Sequence, residues 1–304
     1  DIYYTLRYKA AYDHLIVECT ISNRGDDVFR PEYSRLFIGV DSEMKTYPDW
    51  DTKFFPTLLR CEKDFAWGYF MSPRQIIMGI GVEEPVASYT LNYVYEGSME
   101  WKWGHQIKTG SLDLLHCLPL PERHPQNNLS LKPHETRKWT LHLGVVDRLA
   151  GVKEKLSQWI QAPMIECEKY TMAGHETSRL LIHSQSGLEK LIVKAPDGTQ
   201  SVLPVDGVAD NVYSALFSPS SQKGLYRITA TAINGKTAEA SIYIRNPWSW
   251  YMKNARDFVA RNPPLFSNGC EAFYGYYTAF LGARHFPETS VDSILEKRFN
   301  RTLP

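Results

Sequence analysis

The sequence predicts a mainly β protein in four parts. An antiparallel β-sandwich covers 1–147, a connector helix 148–163, an immunoglobulin-like β-sandwich 164–245 and a short helical segment 246–304. Three observations predict it. Short runs of strand-like residues, several alternating in polarity, recur up to residue 245, separated by turns rich in Gly, Pro, Asn and Asp. Aromatic residues reach 13% of the chain, a share that suits sheet surfaces. From Asn246 onward the apolar residues recur at helical spacing instead.

In the first part, strands are expected at 2–8, 14–23, 35–41, 65–71, 75–82, 87–96 and 138–143. In the second run Leu15, Val17, Cys19 and Ile21 alternate with Ile16, Glu18, Thr20 and Ser22. Turns fall at Asn23-Arg24-Gly25-Asp26, Ser72-Pro73 and Glu84-Pro85. The stretch 97–137 lacks a clean period and carries four prolines, so it reads as irregular with a long surface loop. The connector helix places Leu149, Val152, Leu156, Trp159 and Ile160 on one face, and Pro163 closes it. A helix this amphipathic is packed on a domain. The second β unit carries seven short strands in about eighty residues, an immunoglobulin-like count, without the Cys-Trp-Cys pattern of true immunoglobulin domains. Asn234-Gly235 between two alternating runs is a strong hairpin signal.

The last part reads as three helices. Asn246-Pro247 suggests an N-cap with proline in the first turn. Asn268 and Glu271 make a box-like start for the second helix, which is apolar or aromatic almost all round. Phe273, Tyr277 and Leu281 are expected on its packed face, with Tyr276 and Phe280 turned outward. The third begins near Ser290 and carries Val291, Ile294, Leu295 and Phe299. Such a sticky helix needs partners on several sides. The segment is therefore expected to self-associate here, or to show elevated mobility after Asn246, and to be fully packed only in a longer parent chain.

Composition narrows function. Lys plus Arg and Asp plus Glu number 34 each, with no basic block, which argues against nucleic acid. No apolar run approaches a membrane span. No signal peptide is present, and Asp1 opens straight into strand-like sequence. Cys19, Cys61, Cys117, Cys167 and Cys270 are widely spaced and read as free thiols, without metal-ligand spacing. GxSxG, P-loop and GxGxxG motifs are absent. No cofactor and no metal are expected.

Two patches invite a sugar. Trp101 and Trp103, followed by His105, would point to one face of a strand, where indoles can stack on pyranose rings. The bland alternative is that the pair covers a core. Trp50 and Asp51, in the loop Tyr47-Pro48-Asp49-Trp50-Asp51, pair an aromatic face with carboxylates that can bond sugar hydroxyls, or Asp49 and Asp51 could help hold calcium. The spacing of His105, His116 and His124 matches no chelate motif. Glu271 reads as a capping residue rather than one of a catalytic carboxylate pair. The catalytic residues are unknown from sequence.

Family resemblance rests on longer motifs. Ile21-Ser22-Asn23-Arg24-Gly25-Asp26, Phe29-Arg30-Pro31-Glu32 and Leu36-Phe37-Ile38-Gly39-Val40-Asp41 resemble the opening of large sandwich domains in bacterial carbohydrate-active enzymes. Leu131-Lys132-Pro133-His134-Glu135-Thr136 and Trp139-Thr140-Leu141-His142-Leu143 resemble their closing strand, with His134 in place of a frequent glycine. Asn246-Pro247-Trp248-Ser249-Trp250-Tyr251, Gly269-Cys270-Glu271-Ala272-Phe273-Tyr274-Gly275 and Ala283-Arg284-His285-Phe286-Pro287 look like the first helices of an α/α toroid. The resemblance implies the N-terminal β region of a gut Bacteroidetes-like polysaccharide-degrading enzyme, hydrolase or lyase, with an incomplete catalytic toroid. It implies a periplasmic or secreted location, a polysaccharide or oligosaccharide partner and the remainder of the parent chain as neighbour. Two alternatives stand beside it: a stand-alone carbohydrate-binding or adhesion protein, and a first sandwich that is itself catalytic through His and carboxylate side chains.

Overall fold

A computed structural model describes residues 1–39, 55–95, 105–118, 126–220, 222–262 and 271–302. The first unit runs β1 (Ile2–Ala10), β2 (Leu15–Asn23), β3 (Ser34–Gly39), β4 (Phe55–Cys61), β5 (Ala66–Met71), β6 (Ile77–Val82), β7 (Ser88–Tyr95), β8 (His105–Leu115) and β9 (Thr136–Val146). A six-stranded sheet, ordered β1-β2-β9-β6-β5-β4, faces a three-stranded sheet ordered β3-β8-β7, and every pairing is antiparallel. Alternation in β2 buries Val17, Cys19 and Ile21. They meet Ile80, Trp139 and Leu141 of their own sheet and Leu112 and Leu114 of the other. Each such apolar side chain contributes about 1.5–3 kcal/mol by leaving water.

Two strands escape the sequence reading. β4 was not expected, and β8 falls within the stretch read as irregular. The reason for β8 is visible in its side chains. Ser111 and Asp113 are buried as completely as Leu112 and Leu114, so no polar face marks the strand. Asp113 is paid for by Arg35 at 2.6 Å and the Ser88 hydroxyl at 2.5 Å. The turn after β2 is organised by buried Asn23, whose amide donates to the Asp27 and Lys132 carbonyls and accepts from Gly25 N–H. His134 has φ 63°, the left-handed region that favours the glycine of the resembling sequences.

A 3₁₀ turn at Leu149–Gly151 leads into α1 (Val152–Ile160). The helix lies on a floor of three glycines, Gly79 and Gly81 in β6 and Gly144 in β9, with Gly79 and Gly144 directly opposite in register. A Cβ at Gly81 would stand 2.5 Å from Ile160 Cγ2, and one at Gly144 would stand 2.7 Å from the Trp159 ring. Without side chains there, Leu156, Trp159 and Ile160 settle onto the sheet backbone.

The second unit runs β10 (Met164–Cys167), β11 (Thr171–Ala173), β12 (Ser178–His183), β13 (Leu188–Lys194), β14 (Gln200–Val202), β15 (Gly207–Ala209), β16 (Val212–Phe217), β17 (Gly224–Ala232) and β18 (Thr237–Arg245). Sheets ordered β10-β12-β16-β15 and β11-β18-β17-β13-β14 enclose Leu180, Ile182, Phe217, Ile228, Ala230 and Ile242. Only the short β11 pairs parallel, with β18, among the described residues. The Asn234-Gly235 hairpin forms as the sequence indicates, with Gly235 at φ 84°.

The two β units and α1 share one apolar cluster, from Phe65, Trp67 and Ile77 through Leu156 and Ile160 to Met164 and Ile182. A polar clasp flanks it. Asp64 accepts from the Thr237 backbone N–H at 2.9 Å and from its hydroxyl at 2.6 Å. Lys236 donates to the Ile160 carbonyl, and Asn234 to the Gln161 carbonyl. Buried Glu62 pairs with Arg60 and accepts from Trp67, while Arg60 also donates to the Glu239 carbonyl. Burial pushes the Glu62 carboxyl above its usual range against the pull of Arg60.

The last part forms α2 (Trp248–Arg261), α3 (Glu271–His285) and α4 (Thr289–Thr302). Pro247 is the N-cap of α2 rather than a first-turn residue. The packed face of α3 also differs from expectation. Tyr276 is buried and Phe280 packs beside it against Phe299, while Tyr277 is 67% exposed. A Cβ at Gly282 would collide with the Met252 carbonyl, so this glycine lies against α2, while Tyr276 and Phe280 turn to Phe299 of α4. A helix apolar almost all round does not announce its inner face; its neighbours select it. Arg256, 2% exposed, ties the helices through Asp257, Glu288 and the Phe286 carbonyl. Among the described residues no helix is long and apolar enough to cross a membrane.

Candidate functional site

Two features of the first sandwich carry chemistry. The first is the inner face of β1. Tyr4, Leu6 and Tyr8 stand opposite Ile21, Cys19 and Val17, all core residues. They therefore point to the core side of the sheet, yet they are 56, 45 and 63% exposed. Among the described residues six strands face three, and the small sheet does not extend across the rim strand. Tyr4 touches the smaller sheet through its hydroxyl, 3.3 Å from Ser34 Oγ. Along a strand, positions four apart are about 13–14 Å apart. The stripe thus offers two phenol rings flanking a leucine, apolar faces with polar tips.

The second feature is a chain of titratable groups between sheet and connector helix. Asp13 Oδ1 lies 2.7 Å from His14 Nδ1, His14 Nε2 lies 2.9 Å from His142 Nδ1, and His142 Nε2 lies 2.8 Å from Glu83 Oε1. Lys155 of α1 closes the far end on Asp13. The hydrogen bonds of Lys155 and then His14 hold the Asp13 carboxyl well below the usual range, and that of His142 lowers the Glu83 carboxyl. The Trp159 ring stacks on His14 at 4.8 Å. A groove of about 410 Å³ opens beside this end, lined by Asp13, Asp147, Arg148, Glu154, Lys155 and Gln158 among others. The His142 side chain is only 6% exposed and both its ring nitrogens are engaged.

The residues singled out from sequence fall elsewhere. Trp50, Asp51, Trp101 and Trp103 lie outside the described residues, as do Asp49 and His124. His105 opens β8 opposite Tyr95, and only its backbone is described. His116 is described, with a buried Nδ1 that has no hydrogen-bond partner among the described residues. Among the described residues no group of three or more His, Cys, Asp or Glu could hold a metal. Among the described residues Cys19, Cys117 and Cys167 are free thiols. Sequence reasoning missed both features above. The Tyr-x-Leu-x-Tyr alternation of β1 is legible in retrospect, whereas His14, Glu83 and His142 are brought together only by strand pairing.

No protein-family description matches the chain, and no curated protein matches it. The likeness is in the fold. The solved structure of Polysaccharide Lyase BACCELL_00875 superposes on all of this chain and on 48% of its own, with a TM-score of 0.70 and 15% identity. The chain thus spans about half the length of that lyase. A DUF4785 family protein of Legionella pneumophila aligns over 80% of this chain and 70% of its own at 9% identity, with a TM-score of 0.24. The BSP domain of a biofilm-associated protein aligns over 81% and 51% at 8% identity, with a TM-score of 0.19. Neither of these two shares enough of the arrangement to bear on function.

Proposed function

We propose that this chain is the β-sandwich region of a polysaccharide-degrading enzyme, where it holds glycan and braces the helical part without performing the chemistry. The observation that carries the reading is the whole-chain fold likeness to a polysaccharide lyase. Local geometry supports it. The uncovered Tyr4–Leu6–Tyr8 stripe suits the apolar faces of pyranose rings, and the tryptophans at 101 and 103 would extend the same chemistry. The clasp and the shared apolar cluster suit a rigid mount. Exposed Trp248, Phe258 and Tyr277 on the helices suit further packing, against more chain or a second copy. A periplasmic or secreted setting, where polysaccharide is met, goes with this reading.

One observation favours a catalytic first sandwich instead: His142 and Glu83 converge at 2.8 Å. Against it stand the burial of His142 and the engagement of both its nitrogens, which leave no atom facing a substrate. Affinity electrophoresis of the pure chain against a polysaccharide panel, with parallel assays for new reducing ends and for unsaturated products, tests the proposal. It expects retention by at least one glycan and no turnover. Turnover abolished by His142→Ala would replace it with the catalytic reading.

A further inference from the structure

We propose that His14 and His142 share one extra proton between the Asp13 and Glu83 carboxylates, and that this proton latches the connector helix onto the first sandwich. The inference is a count of hydrogens. Three nitrogen contacts lie in series: Asp13 to His14 at 2.7 Å, His14 to His142 at 2.9 Å, and His142 to Glu83 at 2.8 Å. An ionised carboxylate only accepts, and a neutral imidazole carries one N–H and one lone pair. Three bonds ending on two acceptors need three N–H groups. Two neutral rings supply two, which would leave lone pairs opposed at one contact. Two imidazolium rings supply four, which would oppose N–H to N–H between the rings. One shared proton satisfies every contact, and an exchange of the central N–H moves the charge from one ring to the other.

Charges of both signs surround the pair, with the carboxylates in direct contact with the rings. From α1, Lys155 pairs with Asp13, and the Trp159 ring covers His14. Glu154 and Lys155 of the same helix line the adjoining groove. From the turn after β6 come Glu83 and Glu84, the latter bound to the Thr140 backbone N–H at 2.6 Å. From β9 comes Lys138, and from the second unit Lys236, both acting on Glu83 through space. Lys138 is itself engaged by Glu18 of β2. The two end carboxylates are held ionised and the rings are nearly dry, so the proton is where the negative charge converges. It joins the β1–β2 turn, β9, the β6–β7 turn and, through Lys155 and Trp159, the helix.

The latch has a definite pH signature. In the unfolded chain both histidines are neutral above about pH 6.5, so refolding in mildly alkaline solution takes up one proton. The folding constant then falls tenfold per pH unit for as long as the proton stays on. Below about pH 6.5 the unfolded chain binds two protons against one, and the slope reverses. The contribution of the pair is therefore greatest near about pH 6.5, where the slope changes sign, and declines on both sides.

Glu83→Gln separates the proton from the packing. A carboxamide can donate to His142 Nε2, so the chain of bonds closes with two neutral rings and no extra proton. Denaturant unfolding of the 304-residue protein between about pH 7.5 and 9 should show a wild-type folding constant that falls about tenfold per pH unit more steeply than that of the variant. Equal slopes would overturn the proposal. Nitrogen NMR of the histidine rings in the wild type at about pH 8 provides the second measurement, and it decides if the variant does not fold. One imidazolium charge over the pair supports the shared proton; two neutral rings refute it.

Discussion

The three-glycine floor under α1 makes Gly81→Ala a sharp test of how the β units are joined. A glycine inside a strand normally costs about 0.5–1 kcal/mol relative to alanine, so without a close neighbour the change should stabilise. Here the new methyl would sit 2.5 Å from Ile160 Cγ2. Ordinary carbon contacts need about 3.5–4.0 Å, so α1 must retreat by roughly 1–1.5 Å. Leu156 and Trp159 ride on the same helix and would lift from Gly79 and Gly144 with it. Overpacking of this kind costs about 1–3 kcal/mol, opposite in sign to the backbone effect. The Ile160 Cβ stands 3.9 Å away, outside the collision, so Ile160→Ala removes the clash. Ile160→Ala alone should cost about 2–5 kcal/mol, because the side chain is fully buried. In urea unfolding the double variant should be about 1–2 kcal/mol better than the sum of the singles. A neutral or stabilising Gly81→Ala, or strict additivity with Ile160→Ala, would refute the close docking.

Asp64→Ala should cost about 2–3 kcal/mol, since Thr237 loses a carboxylate partner for both its backbone N–H and its hydroxyl. Thermal unfolding followed by limited proteolysis checks this, and a change below about 0.5 kcal/mol would mean that the clasp is ornamental. Burial pushes the Cys19 and Cys167 thiols up to about 11. At pH 8 only about one in a thousand of either is thiolate, so labelling by a thiol reagent should wait for unfolding. Rapid modification of the native chain at Cys19 would contradict the packing of β2.

Much of the β architecture is legible in the sequence because half-buried strands alternate. The run from Leu15 to Asn23 does so cleanly, and the second unit carries nine strands where seven are expected, the count including the three-residue β11 and β15. The Asn234-Gly235 turn is readable because glycine relieves a left-handed position. What fails has physical causes. β8 hides because both faces of its described part, 110–115, are buried and buried polar residues erase its period. Tyr276 and Tyr277 exchange the roles expected of them, because Phe299 of α4 packs on the Tyr276 side of a helix that is apolar almost all round. The histidine chain is illegible locally: His14 and His142 stand 128 positions apart, on neighbouring strands. The exposed stripe of β1 depends on how far the opposite sheet extends, which no single strand records.

The glycan contact proposed for the first sandwich is the open inner face of β1. The most direct measurement is affinity electrophoresis of the wild-type chain and the Tyr4→Ala/Tyr8→Ala double variant in gels containing whichever polysaccharide retards the wild type. Both rings are largely exposed, so the variant should unfold within about 1 kcal/mol of the wild type. Loss of two stacking faces should weaken retention about fivefold or more, taking about 0.5–1.5 kcal/mol for each ring. Unchanged retention in a variant of unchanged stability would contradict the account and move the glycan contact elsewhere on the chain.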